Sequence, residues 1–240
     1  MLYNMVMGIQ NKVTIITGAG SGIGRATALC FARAGAQVTL FGRTREALTD
    51  TAREARGETL VVVGDVAREE DVQALFTRVH EVYGRVDILI NCAGVVVVKP
   101  FVEMESATWD YVLNVNLRGT FLCCQQAFKT MTATGGGVIL NLSSLSGVRG
   151  VEKFPGLSAY NVSKAGVASL SEILAVEGKA LNIRVAAVSP GAVDTAMLRQ
   201  AAPHLKAGMT PEELAEILLF MADESGRVLS GTNLEIFSNA

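Results

Sequence analysis

Residues 17–24 of this 240-residue chain read TGAGSGIG, between a short apolar run at 12–17 and an alanine-rich segment at 23–34. The run predicts a buried strand and the segment predicts a helix, so the glycines fall at a strand-to-helix turn. Backbone amides at a helix N-terminus, with the positive end of the helix dipole, favour a phosphate anion. The G-x-x-x-G-x-G spacing in this position predicts a pyrophosphate site, the alternative being a tight turn without a ligand.

Strand and helix patterns alternate along the rest of the chain. Strands are predicted at 12–17, 37–41, 60–63, 86–91, 138–142, 183–189 and 234–237. Helices are predicted at 23–34, 44–56, 69–83, 107–131, 160–180 and 211–223, the last opened by a capping box at 210–213. The strands lack polar alternation, which is typical of a mostly parallel sheet covered by helices on both faces. We therefore expect one doubly wound α/β domain over residues 1–240, with residues 1–10 as a short N-terminal extension.

Composition excludes several classes of function. Apolar residues make up 50% of the chain and charged residues 18%, and the net charge is −2. A homo-oligomer or a large buried sheet would account for so little charge, since roughly a quarter is usual. The chain has no basic block and no apolar run of membrane-spanning length, so neither nucleic acid nor a membrane is an expected partner. Residues 1–10 lack a basic leader, so we do not expect a signal peptide.

The cysteines and histidines do not predict a metal site. The chain has four cysteines, none in a C-x-x-C pair, and only two histidines. Metal ligation needs clustered ligands, so we expect no bound metal. Free thiols suit a reducing compartment, and we expect a cytoplasmic protein.

Two residues suited to carbonyl chemistry lie on the helix predicted at 160–180. Tyr160 and Lys164 are four residues apart and so share a helix face. A free tyrosine has a pKa of about 10, and a nearby ammonium lowers it by stabilising the phenolate. This pair predicts a general acid that protonates a carbonyl oxygen while hydride reaches the carbon.

Two further polar residues fit the same chemistry. Ser144 ends the fifth predicted strand, at the edge where parallel sheets bind ligands, and its hydroxyl can hydrogen-bond the same oxygen. Asn116 lies inside the long predicted helix, where an amide has no propensity advantage. Taken singly, each of the four residues has an ordinary structural explanation, on an exposed helix or at a strand end.

Six motifs, in the order in which they occur along the chain, resemble those of the short-chain dehydrogenase/reductase family, and the resemblance covers about residues 12–237. They are the glycine turn at 17–24, Asn91-Cys92-Ala93-Gly94, Asn114-Val115-Asn116-Leu117, Asn141-Leu142-Ser143-Ser144, Tyr160-Asn161-Val162-Ser163-Lys164 and Pro190-Gly191. The resemblance implies a Rossmann-like fold with a seven-stranded sheet. It implies that Tyr160 is the acid/base, that Lys164 tunes it and holds ribose hydroxyls, that Ser144 orients the substrate oxygen, and that Asn116 supports a water in a proton relay.

The resemblance also implies a set of cofactor-binding residues, with Asp65 at the adenine and Thr195 at the carboxamide. The set is Gly18, Ser21, Gly22, Ile23, Gly24, Arg43, Asp65, Val66, Asn91, Ala93, Gly94, Tyr160, Lys164, Pro190, Gly191, Val193 and Thr195.

The sequence departs from the family pattern in places that surround the substrate. Cys92 replaces the second asparagine of the usual Asn-Asn-Ala-Gly turn. The segment 144–160 is longer than usual, the segment 195–211 is shorter, and the common Asp-Gly-Gly ending is absent. These changes do not affect the residues expected to carry the chemistry, but the identity of the substrate and the shape of its cleft do not follow from the family pattern.

The end of the second strand bears on the cofactor. An acidic residue there, about 20 residues after the glycine turn, would bind the adenosine ribose and repel a 2′-phosphate. Gly42 stands in that place and Arg43 follows, and a guanidinium binds phosphate bidentately. We therefore expect NADP(H), with NAD(H) as the alternative because Arg43 can also be a solvated loop residue and Ser21 replaces a basic residue often seen in NADP users.

The sequence thus predicts an NADP(H)-dependent oxidoreductase acting on a small-molecule ketone or secondary alcohol. A 3-oxoacyl-carrier-protein reductase is the alternative substrate class, although the presumed cleft margin offers only Lys179 and Lys206 to an acidic carrier. A non-catalytic NADP-binding regulator is the alternative of another class. Small and apolar residues around the helix at 160–180 predict a homo-oligomer, with a tetramer expected.

Overall fold

The computed structural model describes residues 8–237. Its strands are β1 Val13–Thr17, β2 Gln37–Gly42, β3 Thr59–Val63, β4 Ile88–Asn91, β5 Gly137–Leu142, β6 Ile183–Pro190 and β7 Asn233–Ile236. They form one sheet in the order β3-β2-β1-β4-β5-β6-β7, and every neighbouring pair is parallel. This confirms the predicted doubly wound, Rossmann-like α/β fold.

Helices cover both faces of the sheet. They are α1 Gly22–Arg33, α2 Arg45–Glu54, α3 Glu69–Tyr83, α4 Ser106–Leu113, α5 Gly119–Thr134, α6 Ser158–Gly178, α7 Ala196–Ala201 and α8 Pro211–Ala222. Apolar residues of α1, α2 and α8 pack in one core cluster, and those of α3, α5 and α6 pack in another. The five inner strands are buried on both sides, which explains why their apolar residues do not alternate with polar ones, while the edge strands β3 and β7 are half-buried.

The strand order reverses at β1, which lies between β2 and β4. Thr17 ends β1 and pairs with Phe41 on one side and with Asn91 on the other. The carboxyl ends of three strands therefore meet where α1 begins. A doubly wound sheet has its ligand crevice at such a switch point.

The structure differs from the expected elements at several places. The helix expected at 107–131 is two α-helices joined by a π-turn, Asn114–Arg118, and it continues to Thr134. α7 was not expected; the Thr195 side chain caps it by accepting from the Leu198 N–H at 3.2 Å. The capping box at the start of α8 is confirmed.

Part of the expected N-terminal extension is packed against the domain. Ile9 is buried in the core, and the Gly8 N–H donates to Asp223 Oδ2 at 2.6 Å. Residues 1–7 of that extension lie outside the described residues. Within residues 8–237, no helix has both the length and the apolarity needed to cross a bilayer.

Candidate active site

The glycine turn passes very close to the turn after β4. Gly18 has φ +68°, and a Cβ there would lie 2.9 Å from Ala93 Cα, so only glycine fits. Ser21 precedes α1 without making a side-chain capping hydrogen bond. The first-turn amides of α1 are therefore left for another acceptor, which is what a pyrophosphate site requires.

A cleft of about 320 Å³ opens at the carboxyl edge of the sheet beside this turn. Seven of the expected cofactor residues line it: Gly18, Ser21, Arg43, Asp65, Val66, Ala93 and Gly94. An added Cβ at Gly94 would lie 3.5 Å from Asn116 Oδ1 and 3.6 Å from Lys164 Nζ, so the bare backbone there lies next to the catalytic candidates. The cleft thus has the small residues and exposed amides that fit a dinucleotide.

Arg43 lines this cleft directly after β2. Its Nη1 donates to the Tyr111 hydroxyl at 3.4 Å, and this hydrogen bond raises the pKa of Arg43. The nearby carboxylate of Asp65 acts in the same direction. Gly42 lines the cleft just before Arg43, so no acidic side chain ends the strand.

Asn116 is fully buried in the π-turn, and its amide holds the segment that follows β4. Oδ1 accepts from the Val95 N–H at 2.8 Å, while Nδ2 donates to the Val95 carbonyl at 2.9 Å and to Ser163 Oγ at 3.0 Å. A π-turn widens the helix and often marks a functional position. Here the π-turn places the Asn116 side chain against Val95, the residue that follows Gly94. The expected role of Asn116 in a proton relay stays a prediction.

Tyr160 and Ser144 lie together, as the sequence predicts. Burial raises the pKa of Tyr160, and a hydrogen bond with Ser144 opposes that shift. Ser144 Oγ also accepts from the Ser146 N–H at 3.2 Å, which leaves the serine hydroxyl proton free to donate. The net shift of the Tyr160 pKa is upward because of burial, and the expected tuning of that pKa by the Lys164 ammonium stays a prediction.

Lys164 is 5% exposed, and its Nζ donates to the Leu142 carbonyl at 2.7 Å. Nζ lies 5.8 Å from the centre of the Tyr160 ring. Burial lowers the pKa of Lys164 to about 8, and it raises the pKa of the neighbouring Cys92 thiol to about 12. The ammonium is thus held at the end of β5, beside the tyrosine rather than against its oxygen.

The remaining expected cofactor residues occupy three nearby places. Ile23 and Gly24 lie in the first turn of α1, and Asn91 is buried at the end of β4. Pro190 ends β6, and Gly191 and Val193 follow it. Thr195 reaches the glycine turn, since a Cβ at Gly22 would lie 3.4 Å from Thr195 Cγ2. None of these seven residues lines the cleft itself, and neither does Gly22, which begins α1.

Sequence reasoning missed other residues at the site. Val95 and Val115 line the cleft, and Tyr111 contacts Arg43. Val115 lies within the quoted Asn-Val-Asn motif, so its position was a usable signal. Tyr111 is far from Arg43 in sequence, and nothing in the pattern joins them.

A second cavity, of about 280 Å³, lies at the opposite edge of the sheet. Its lining includes Lys12, Arg85, Asp87 and Arg184 but none of the motif residues. Ligands of doubly wound folds bind at the carboxyl ends of the strands, so we take the other cleft as the candidate active site.

Comparison with known proteins decides the family. A family model described as short chain dehydrogenase matches residues 12–206. The chain belongs to the short-chain dehydrogenase/reductase family. It is an oxidoreductase that acts on CH–OH or carbonyl groups with NAD(P).

Several members of this family are similar over nearly their whole length. The chain is 36% identical over 238 residues to the 3-oxoacyl-[acyl-carrier-protein] reductase FabG of Thermotoga maritima, covering 94% of this chain and 96% of that protein. It is 33% identical over 241 residues to an NAD-dependent glycerol dehydrogenase of Listeria innocua, covering 95% and 93%. The crystal structure of levodione reductase superposes with a TM-score of 0.88 at 30% identity, covering 95% and 96%.

Proposed function

We propose that this protein is an NADP(H)-dependent reductase or dehydrogenase of small-molecule ketones and secondary alcohols. The observation that carries the cofactor preference is Arg43 on the cleft beside Gly42, where an NAD-binding fold places an acid. The guanidinium supplies donors for a 2′-phosphate, and Gly42 leaves room for it. The relatives include an NAD-dependent enzyme, so the preference has to be measured on this chain.

The proximity of Tyr160, Ser144 and Lys164 supports carbonyl reduction as the chemistry of this site. The bound nicotinamide supplies or accepts the hydride. A tyrosine, with an ordinary pKa of about 10, is protonated at neutral pH, and burial raises the pKa of Tyr160 further, so Tyr160 can donate a proton to the substrate oxygen. The Ser144 hydroxyl can donate a hydrogen bond to the same oxygen. Lys164, fixed by the Leu142 carbonyl, places positive charge beside the tyrosine as that proton leaves.

The test of the cofactor preference is kcat/KM with NADPH and NADH on a panel of small ketones. Wild type should favour NADPH, and the double variant Gly42→Asp with Arg43→Ile should shift the ratio towards NADH, because it restores the acid and removes the phosphate ligand. A wild type that favours NADH, or an unchanged ratio in the double variant, contradicts the proposal.

A 3-oxoacyl-carrier-protein reductase is the second candidate, favoured by the similarity to the Thermotoga maritima enzyme. Of the two lysines expected near the cleft margin, Lys179 lies just before the start of β6, at the opposite edge of the sheet, which corrects that expectation. Lys206 alone of this pair remains for an acidic carrier protein, a small number. Including acetoacetyl-carrier-protein in the panel separates the two substrate classes. A non-catalytic regulator would turn over none of these compounds.

We also propose a homotetramer in a reducing, cytoplasmic setting. All four cysteines are free thiols, which suits that setting. Exposed apolar side chains lie on two helices: Ile173 and Val176 on α6, and Phe121 on α5. Since α5 and α6 pack in the same core cluster, these side chains offer an apolar helical surface on which copies of the chain can pair.

A further inference from the structure

Tyr111 connects α4 to the part of the cleft that Arg43 lines. Its hydroxyl accepts the hydrogen bond from Arg43 Nη1 at 3.4 Å. Val115, one turn further along, lines the same cleft as Arg43. Residues four apart share a helical face, so Tyr111 is on the side of α4 that faces the cleft.

The helix that carries Tyr111 is anchored against the loop after β3. Arg118 donates to the Ala67 carbonyl at 2.9 Å, and a Cβ at Gly119 would lie 2.8 Å from Val66 Cγ2. These contacts join the π-turn to the loop that contains Asp65 and Val66. Tyr111 is therefore presented from an anchored segment, and both Tyr111 and Arg43 have exposed side chains at the cleft.

Arg43 interacts with two different kinds of group, a neutral hydroxyl and a carboxylate. The hydroxyl of Tyr111 holds Nη1, and the carboxylate of Asp65 attracts the guanidinium electrostatically. A guanidinium has five N–H donors, so a bond to Tyr111 leaves donors for a phosphate. A neutral acceptor orients the group without neutralising it, whereas a full ion pair with Asp65 would occupy it.

We infer that Tyr111 is a positioning residue for cofactor discrimination, holding the Arg43 guanidinium where it meets a 2′-phosphate. The inference rests on the proposed NADP(H) preference. Tyr111 acts through Arg43, so its contribution should vanish when Arg43 is absent. Its loss should not change how the rest of the dinucleotide binds.

The experiment measures dissociation constants of adenosine 2′,5′-bisphosphate and AMP by calorimetry. The proteins are wild type, Tyr111→Phe, Arg43→Ala and the double variant, with Tyr83→Phe as the matched control. Tyr83 also loses a hydroxyl, one that is bonded to Glu58, and it does not line the cleft. Melting temperatures show that each variant is folded.

We expect Tyr111→Phe to weaken bisphosphate binding by about 2- to 10-fold, the usual range for one neutral hydrogen bond. AMP binding should be unchanged, and Tyr83→Phe should behave as wild type. In the Arg43→Ala background, Tyr111→Phe should have no further effect.

Two results would overturn the inference, and they are distinguishable. If wild type prefers the bisphosphate but Tyr111→Phe does not weaken it, or weakens it equally without Arg43, the positioning role is wrong while the NADP(H) proposal stands. If wild type binds both probes equally, the NADP(H) proposal fails and the inference fails with it.

Discussion

At the scale of single residues, the protonation state of Tyr160 decides whether the site is ready to reduce a carbonyl or to oxidise an alcohol. Burial raises the pKa of its hydroxyl, and the nearest cation, Lys164, is bonded to a backbone carbonyl. A protonated tyrosine is a general acid, ready to reduce a carbonyl. The reverse oxidation needs the phenolate, so it should require a higher pH than the reduction.

Replacing Tyr160 with Phe should remove turnover and leave the fold and cofactor binding almost intact. Only the hydroxyl transfers the proton, and the ring still packs. We expect a loss of at least about 10²- to 10⁴-fold in kcat. Kinetics together with nicotinamide fluorescence titration provide the measurement. Wild-type turnover in Tyr160→Phe would remove Tyr160 from the mechanism.

Lys164 should make the free energy of unfolding depend on pH. Its folded pKa of about 8 lies below the ordinary value of 10.5, so the unfolded chain binds more protons between these values. Stability therefore rises with pH across this window as the buried ammonium loses its proton. The destabilisation from burying the charge is fully present below about pH 8 and is relieved by the upper end of the window.

The variant Lys164→Met isolates this effect from the titration of buried cysteines and tyrosines. Lys164→Met removes the buried charge, so below about pH 8 its free energy of unfolding should gain relative to wild type. This gain should shrink from about pH 8 upwards, by at most about 1.4 kcal/mol per pH unit. Urea unfolding at several pH values measures this difference. A difference independent of pH would show that Lys164 is charged throughout.

At the scale of elements, the strands could be predicted from the sequence, and the interruption of the long helix could not. β6 has the sequence IRVAAVSP, and almost every residue in it is buried, so the apolar run alone predicts a buried strand at this place. The π-turn depends on the bonds of Asn116 to Val95 and Ser163, which are distant in sequence. Helical periodicity alone predicts an uninterrupted helix there, and the Tyr111–Arg43 contact is hidden for the same reason.

The two segments with unusual lengths meet in the structure. Phe154, in the longer segment after β5, packs edge-to-face on His204 in the shorter segment after α7, with ring centres 6.4 Å apart. The two ends of the shorter segment are also joined by a hydrogen bond, in which the Asp194 N–H donates to the Met209 carbonyl at 2.9 Å. The longer segment thus supports the shorter one.

Phe154→Ala should loosen the segment at 202–208. An aromatic pair contributes about 0.5–1.5 kcal/mol beyond its buried area, so local opening should become more frequent. Hydrogen exchange followed by mass spectrometry measures this opening. Phe101→Ala is the control, since Phe101 is 74% exposed. Equal exchange in wild type and Phe154→Ala would mean that the ring contact does not hold the segment.

At the scale of the whole molecule, we expect the apolar surfaces of α5 and α6 to be covered by other copies of the chain. Sedimentation at micromolar concentration should show a tetramer. Ile173→Glu with Val176→Glu should reduce it to a smaller species, because each buried carboxylate would lack a partner. The matched control Glu172→Gln lies on the same helix and should leave assembly unchanged. A monomeric wild type would refute this expectation.

The interior position of β1 in the sheet also has a consequence for synthesis on the ribosome. β1 is flanked by β2 and β4, yet β2 and β3 both leave the ribosome before β4 does. At about 5–20 residues per second, β1 waits on the order of several seconds with one row of backbone amides and carbonyls unpaired. An exposed strand edge recruits other strands, so a strand that ends up in the interior of the sheet is, for that interval, an open edge of the nascent chain.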